Sequence, residues 1–242
     1  MKNKVFKEDH EAWAVFGKTE LRWVFNKLEI ALRQNLHAGP AGTAPNKTGT
    51  YISRPIYNPY GMGVGAKKFF YSEGMYEQVI NHDIVPPGHF WCEWLEGPHL
   101  SIDYRQKENG LWYTESMWEG SHASEENLTK FSSWEKLDPN IAPTPYLWGN
   151  FFPWLKEKQN QITEFNIETR SEKIIEAHLR LGNSVFEDLP IGTTLIPLWE
   201  DDLIPEEGFL PNTADDMEIV YEKKYLNGKR KGFKIVPQPY EL

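Results

Sequence analysis

The sequence predicts an α+β fold that is built mainly from antiparallel β-hairpins with a few helices. Two asparagine–glycine pairs, Asn109-Gly110 and Asn227-Gly228, stand between runs of β-type residues, which is the pattern of tight hairpin turns. Apolar residues recur at helical spacing in residues 20–34. The chain lacks the strand–helix–strand alternation of doubly wound folds, so we expect no parallel sheet of that kind.

The N-terminal part of the chain is predicted to hold a helix and then a strand. Residues 20–34 place apolar side chains on one helical face, and Gly39-Pro40 stops the helix. These apolar side chains are Leu21, Val24, Phe25, Leu28 and Leu32. Residues 38–50 are rich in Gly, Ala, Pro, Thr and Asn and indicate a loop. Residues 50–57 favour a strand, in which Pro55 requires an edge or strand-end position.

Short elements are predicted through the middle of the chain. A turn and a glycine-rich loop occupy 58–66, and a short helix is expected at 77–81. Residues 90–95 favour a strand that ends at a Glu-Gly-Pro break. Strands at 100–105 and 111–117 are expected to pair as a hairpin. The segment that follows, up to residue 150, shows a mixed pattern that predicts no particular element.

Two more hairpins are predicted in the second half of the chain. Strands at 162–168 and 173–179 are joined by a turn at 169–172. Strands at 219–226 and 232–236 flank the second asparagine–glycine pair, the clearest hairpin signal in the sequence. The whole pattern therefore favours antiparallel sheets.

The composition excludes several classes of protein. With 26 Lys and Arg against 35 Asp and Glu, the formal net charge of −9 argues against non-specific binding to nucleic acid or anionic membranes. No signal-peptide pattern and no apolar run of membrane-spanning length is present. The single cysteine, Cys92, cannot form an internal disulfide, which fits a reducing compartment, and we expect a cytoplasmic protein. The Walker phosphate loop, G-x-S-x-G and H-E-x-x-H are absent.

A glycine-rich loop is the first candidate for ligand binding. Gly61, Gly63 and Gly65 alternate with Met and Val, and two lysines, Lys67 and Lys68, follow. Glycines let backbone N–H groups approach a phosphate closely, and the lysines would neutralise its charge. The alternative is a flexible hairpin tip, and the loop by itself does not decide between them.

The second candidate is the predicted hairpin at 162–179. With a turn at 169–172, Glu164 would lie roughly opposite Glu176. Glu176, His178 and Arg180 are spaced by two and therefore share one face of a strand. Carboxylates can hold Mg²⁺ against a polyphosphate, and an arginine can bind phosphate or carboxylate with its fork. The alternative is a solvated strand face with cross-strand ion pairs.

The third candidate is the kinked strand at 90–103. Its apolar run breaks at Gly97 and resumes with a period of two. A strand that ends in a kink can offer its backbone to a flat heterocycle, although the same pattern also suits a purely structural strand. Taken alone, this segment leaves both interpretations open.

Together and in this order, the three candidates resemble the ATP-grasp superfamily over roughly residues 20–185. That family has a lysine at a helix start, a Lys-Pro strand, a glycine-rich phosphate loop, a Glu-containing hinge and a hairpin that bears Glu and Glu-x-Asn-x-Arg. The matching segments here are Asn26-Lys27, Arg54-Pro55, Gly61 to Gly65, Glu93 to His99, Glu164, and Glu176 to Arg180. Glu164 and Glu176 are 12 positions apart, a spacing similar to that of carboxylase and ligase members. The ordered set is specific, whereas no single motif is.

The resemblance implies ATP and Mg²⁺ as cofactors and a role for each matching residue. Lys27 and Arg54 would contact phosphate, and Arg180 would stabilise an acyl phosphate. Gly61, Gly63 and Gly65 would cover the phosphates. Glu93 and the Trp94-Leu95 backbone would contact the adenine, and His99 would contact the ribose. The metal ligands would be Glu164, Glu176 and His178.

Three residues depart from the family pattern. Arg54 stands in place of a lysine, which keeps the charge but changes its shape. His99 replaces a ribose-binding glutamate. His178 replaces a metal-ligating asparagine, so that either a single Mg²⁺ binds well or a softer ion is used.

The implied function is that of an ATP-dependent carboxylate–amine ligase with a small-molecule or peptide substrate. The implied organisation is an N-terminal arm (1–19), two ATP-grasp subdomains (20–100 and 101–190) and a C-terminal extension (191–242). Two alternatives stay open. One is a catalytically degenerate relative that still binds nucleotide. The other is a non-enzymatic assembly protein that uses its tryptophans, 10 in all, as a contact surface.

Overall fold

The computed structural model describes most of the chain in several stretches. These are residues 5–57, 65–122, 124, 128, 130–142, 162–182, 186, 188–199, 218–221 and 230–236. Within these stretches the chain forms two antiparallel sheets, one of four strands and one of eight, together with short helices. The predicted loop glycines Gly61 and Gly63 and the turn at Asn227-Gly228 lie outside the described residues.

The elements follow one another in an order dominated by strands. The helices are α1 (Asp9–Phe16), α2 (Lys27–Arg33) and α3 (Tyr76–Ile80), with 3-10 helices at Glu20–Phe25, Glu73–Met75 and Pro139–Ile141. The strands are β1 (Ala38–Pro40), β2 (Gly49–Pro55), β3 (Lys67–Tyr71), β4 (His89–Glu93), β5 (His99–Gln106), β6 (Trp112–His122), β7 (Phe131–Leu137), β8 (Glu164–Arg170), β9 (Lys173–His178), β10 (Thr194–Trp199), β11 (Glu218–Tyr221) and β12 (Arg230–Val236). None of the described helices is long and apolar enough to cross a membrane.

The smaller sheet has the strand order β1-β4-β2-β3. Aromatic residues pack on it, with Tyr51, Phe69, Tyr71 and Trp91 in one buried cluster. Pro55 is the last residue of β2, which confirms that it takes a strand-end position. β1 pairs with β4, so residues 38–50 are not wholly a loop, as the composition had suggested.

The larger sheet has the order β11-β12-β10-β7-β6-β5-β8-β9. Ile102 of β5 lies between Met117 of β6 and Ile167 of β8, so these side chains share one face. The N-terminal helices cover that face and contribute Ala12 and Phe16 to its core. The opposite face carries polar residues, and the candidate site is built there.

The predicted single helix over 20–34 is wrong in one respect. The segment forms a 3-10 helix and then α2, with a break at Asn26, whose backbone is extended. The Asn26 side chain accepts a hydrogen bond from the N–H of Glu29 (2.9 Å) and caps α2. The break places Lys27 at the start of a helix, because the cap rather than the apolar spacing determines where α2 begins.

Most other predicted elements are confirmed. β5 and β6 pair around Asn109-Gly110, β8 pairs with β9, and β11 pairs with β12. The strand β7 was not predicted, since its exposed positions are polar. Trp91 and Trp118 are buried in core clusters, so these two do not form an exposed contact surface, while Trp148 and Trp154 lie outside the described residues.

A glutamine protects the edge of the larger sheet at β9. Gln34, the residue after α2, accepts a hydrogen bond from the N–H of Ile174 and donates one to its C=O, both at 2.8 Å. The side-chain amide thus pairs with the strand as a neighbouring strand would, which satisfies backbone groups that edge strands leave open. This pairing fixes α2 against β9.

We predict that Gln34→Ala destabilises the protein by about 1–3 kcal/mol, because two backbone groups of a buried residue lose their partners. Urea unfolding measures this free energy. Gln78→Ala, at an exposed position of α3, is the matched control and should change stability by less than about 0.5 kcal/mol. Equal effects of the two substitutions would contradict the pairing role of Gln34.

Candidate functional site

The β8–β9 hairpin brings two glutamates face to face. Glu168 of β8 lies directly opposite Glu176 of β9, and Asn166 lies opposite His178. The expected position of Glu164 opposite Glu176 is wrong. Glu164 pairs with Arg105 of β5, whose Nε lies 3.6 Å from the Glu164 carboxylate.

The position of the hairpin turn explains why the pairing of Glu164 with Glu176, predicted from their spacing, is wrong. The turn residues are Ser171 and Glu172, both with positive φ (48° and 62°), so the turn is centred later than the predicted 169–172. A bulge between Glu168 and Thr169 shifts the register further. Ser-Glu is not the asparagine–glycine pair that marks such turns. The sequence therefore carried no clear signal for Glu168.

Each carboxylate oxygen of the facing glutamates lies near a basic nitrogen. Lys27 Nζ is 2.7 Å from Glu176 Oε2, and His99 Nε2 donates to Glu168 Oε2 at 3.0 Å. The Nε2 atom of His178 is 3.8 Å from one oxygen of each glutamate. Burial raises the pKa of Glu168, but the hydrogen bond from His99 and the charges of His99 and His178 hold it well below its usual range.

The N-terminal helix supplies a further acid to this group. Both carboxylate oxygens of Asp9 lie 3.0 Å from Nδ1 of His178, and one accepts a hydrogen bond from Arg180 at 2.8 Å. Asp9 is 4% exposed. Burial raises the pKa of Asp9, but the charges of His178 and Arg180 lower it to about 2. Burial lowers the pKa of His178, but Asp9 outweighs this and raises it to about 10.

Sequence reasoning missed Asp9 altogether. It is 169 positions from His178, and its first-turn position in α1 looks like ordinary helix capping. Only the packing of α1 against the sheet brings the two side chains together.

A buried arginine of the smaller sheet faces the same region. Arg54 of β2 is 9% exposed, and its Nε atom has no hydrogen-bond partner among the described residues. Its guanidinium lies over the Phe90 ring, 5.3 Å from the centroid. Burial lowers the pKa of Arg54, while the charges of Glu176 and Glu168 act to raise it. A buried cation with an open donor is suited to an anionic ligand.

The predicted hinge is partly occupied by internal bonds. The Glu93 carboxylate accepts a hydrogen bond from the N–H of His37 at 2.7 Å, and the N–H of Trp94 donates to Thr50 at 2.9 Å. The Trp94 ring lies between two cations, Lys68 Nζ at 4.4 Å and the Arg170 guanidinium at 4.6 Å. One cation comes from each sheet, so the Trp94 ring contacts both.

A pocket opens beside the glutamates. It has about 380 Å³ of empty space, including space open to solvent. Lys27, Glu176 and His178 line it, together with Trp13 and Tyr57, whose ring centroids are 5.4 Å apart. Its lining therefore combines charged side chains with aromatic rings.

The structure brings five of the predicted site residues together. The predicted residues that surround Glu168 and Asp9 are Lys27, His99, Glu176, His178 and Arg180. Gly65 is described and has a φ of 89°, a conformation that suits glycine. Gly61 and Gly63 lie outside the described residues, so their role in covering the phosphates stays a prediction.

The residues fit a divalent cation. Glu168, Glu176 and His178 each offer one ligand atom, and these three atoms lie within 4.8 Å of one another. Two carboxylates suit Mg²⁺, whereas the imidazole nitrogen suits transition metals better. The two carboxylates would thus hold such a cation, and the His178 nitrogen lies near the same position.

Solved structures share this fold, although no protein-family model and no curated protein matches the chain. N5-carboxyaminoimidazole synthetase from Staphylococcus aureus, complexed with ADP, has a TM-score of 0.59 and 13% identity, covering 91% of this chain and 69% of that one. Biotin carboxylase from Campylobacter jejuni, complexed with β,γ-ATP, has a TM-score of 0.57 and 11% identity, covering 97% and 69%. L-amino acid ligase from Bacillus licheniformis has a TM-score of 0.52 and 10% identity, covering 96% and 72%. The chain therefore has the α+β ATP-grasp-like fold that its motifs predicted.

We predict that Asp9→Asn destabilises the protein by about 3 kcal/mol, because it leaves the buried His178 and Arg180 without their shared carboxylate. Thermal or urea unfolding at pH 7 measures the loss. Asp83→Asn makes the same chemical change at an exposed position and should have less than about 0.5 kcal/mol of effect. A loss no larger in Asp9→Asn than in this control would contradict the buried pairing.

The same pair predicts a pH dependence of stability. The pKa of His178 is raised to about 10 from 6.5, so its contribution is complete below pH 6.5 and is lost as pH rises towards 10. The ionised Asp9 carboxylate contributes fully to the free energy of unfolding above pH 3.8, and this contribution is lost as the pH falls towards 2. The unfolding free energy should fall more between pH 6 and pH 9.5 in the wild type than in Asp9→Asn. Parallel curves for the two proteins would exclude this linkage.

Proposed function

We propose that this chain is an ATP-dependent ligase. It transfers the γ-phosphate of ATP to a carboxylate, and an amine then attacks the acyl phosphate. The observation that carries the proposal is the pair of facing glutamates, Glu168 and Glu176, surrounded by cations on an ATP-grasp fold. The similar structures named above include a ligase and two nucleotide complexes, which supports ATP as the ligand.

The cations of the site would neutralise the phosphates. Phosphoryl transfer needs positioning and charge neutralisation more than covalent help from the protein. Arg54 is buried with an open Nε, and Lys27 lies at the start of α2 beside Glu176. Arg180, held by Asp9, would stabilise the charge that develops on the acyl phosphate. These three residues approach the glutamates from both sheets and from a helix.

A divalent cation would bind at Glu168 and Glu176, with the ligand role moved from Glu164 to Glu168. When bound, such an ion would neutralise charge on the phosphate oxygens. Lys27 would then exchange Glu176 for a phosphate, because its Nζ is already at the site. The change therefore needs only a side-chain movement at Lys27.

The nucleotide itself would lie between the two sheets. The base would meet the Glu93–Leu95 segment and the Trp94 ring, the ribose would lie near His99, and Gly61, Gly63 and Gly65 would cover the phosphates. The substrate, a small molecule or a peptide, would enter the pocket beside Lys27 and Tyr57. Burial raises the pKa of the Cys92 thiol to about 11, so this thiol is inert, and a cytoplasmic setting suits it.

A second candidate is nucleotide binding without turnover. It is favoured by His99, which stands where a ribose-binding glutamate is usual and which hydrogen-bonds Glu168 directly. If His99 holds that oxygen when nucleotide is present, Glu168 has one oxygen fewer for a metal ion. The release of ADP separates this candidate from the ligase.

We predict that millimolar ATP with Mg²⁺ raises the melting temperature of the wild type by several degrees, since ligand at 100 times its dissociation constant adds about 2.7 kcal/mol. Glu168→Gln should lose most of this shift because a neutral amide binds the cation poorly. Glu164→Gln, on the same strand but paired with Arg105, should keep it. If Glu164→Gln alone loses the shift, the assignment by spacing is right and that by register is wrong.

We further predict that mixtures of candidate carboxylates and amines make the wild type release ADP from ATP. Release should fall at least about 100-fold in Arg180→Lys, because a point charge replaces the bidentate fork. A coupled ADP assay measures the rate. Binding of ATP without ADP release in any mixture would support the second candidate instead.

A further inference from the structure

We propose that His178 is a nitrogen ligand in the metal site and that Asp9 orients it, so that the site prefers a transition-metal cation such as Mn²⁺ to Mg²⁺. This rests on the proposed function in one respect, the assignment of Glu168 and Glu176 as the metal-binding carboxylates. Three features support it: the tautomer of the imidazole, the spacing of the ligand atoms and the donor set.

The first feature is the tautomer of His178. The carboxylate of Asp9 is only an acceptor, so the nearby Nδ1 must carry a proton and donate it. Nε2 is then the atom left for a ligand. Metal-binding histidines commonly donate their other ring N–H to a carboxylate, which fixes the ring and raises its basicity. The Asp9–His178 pair has this arrangement.

The second feature is the spacing of the ligand atoms. Nε2 of His178 lies 3.8 Å from an oxygen of Glu168 and 3.8 Å from an oxygen of Glu176. These separations exceed a hydrogen bond, but atoms that share one ion at about 2.1 Å stand roughly 3–4 Å apart. All three ligand atoms lie within 4.8 Å of one another, so a modest contraction of the group would let them share one cation, and the proton on Nε2 would leave to solvent when they do.

The third feature is the preference of the donor set among cations. Mg²⁺ demands oxygen ligands and near-ideal octahedral geometry, whereas imidazole is a good ligand for the later first-row divalent metals. Mn²⁺, the first of that series, favours oxygen donors but tolerates one nitrogen among them better than Mg²⁺ does. An asparagine at 178 would offer an oxygen in place of this nitrogen. The substitution of histidine for asparagine therefore changes which ion the site selects, and Asp9 on α1 is the residue that makes the change effective.

The test uses metal ions alone, with no nucleotide, on the full chain. Titration calorimetry measures the affinities for Mn²⁺ and Mg²⁺ in the wild type, His178→Asn and Asp9→Asn. We expect His178→Asn to weaken Mn²⁺ binding by about 10- to 100-fold and Mg²⁺ binding by less than about 3-fold. Asp9→Asn should weaken Mn²⁺ binding by a similar factor. His82→Asn, at an exposed position of positive φ that asparagine tolerates, is the control and should leave both affinities unchanged.

A spectroscopic measurement on the wild type keeps the proposal falsifiable even if a variant fails to fold. Pulsed electron paramagnetic resonance of bound Mn²⁺ should show modulation from a directly bonded imidazole nitrogen. Near-ultraviolet circular dichroism checks that each variant is folded. Absence of nitrogen modulation in the wild type, or its persistence in folded His178→Asn, would overturn the proposal, as would equal losses of Mn²⁺ and Mg²⁺ affinity.

The outcome is distinguishable from failure of the proposed function. Nitrogen modulation without any ATP-dependent change in melting temperature would keep the metal site and exclude the ligase. An ATP-dependent shift with no nitrogen modulation would keep nucleotide binding and overturn His178 as a ligand.

Discussion

Two carboxylates can face each other in a partly buried cleft only if nearby cations offset their repulsion, and the arrangement around Glu168 and Glu176 depends on this constraint. Lys27, His99 and His178 supply the compensating charge or hydrogen bonds, each from a different element. The packing of α2 against β9 and the position of β5 beside β8 are therefore tied to the electrostatics of the site. A metal ion bound between the glutamates would neutralise the negative charge that these side chains neutralise in its absence.

The edge of the larger sheet serves both stability and chemistry. An edge strand exposes backbone groups that invite pairing with other chains. Here Gln34 satisfies Ile174 of β9, while Asp9 and Lys27 contact His178 and Glu176 further along the same strand. The N-terminal segment thus covers the edge and places charged groups at the site with the same contacts. This explains why residues before α2 belong to the site even though they lack any recognisable motif.

The fold could be predicted from the sequence because the signals for it are local. Asn109-Gly110 specifies a hairpin turn through backbone conformation, and ordered motifs marked the superfamily. The prediction was wrong where tertiary contacts or strand register determine the structure. A side-chain cap at Asn26 divides the predicted helix, and a later turn together with a bulge places Glu168 rather than Glu164 opposite Glu176. Asp9 could not be predicted, because nothing within its own segment indicates a partner so distant in sequence.

The bond between Asp9 and His178 also bears on how the protein is made. At about 5–20 residues per second of translation, the 169 positions between them take roughly 10–30 s to synthesise. During that interval α1, which is 8 residues long, is too short to be stable alone, and the sheet edge that it covers does not exist. The residues of α1 must therefore wait for the β8–β9 hairpin. Ribosome-bound chains that end before this hairpin carry no assembled site, so α1 and β9 meet only after most of the chain between them has been made.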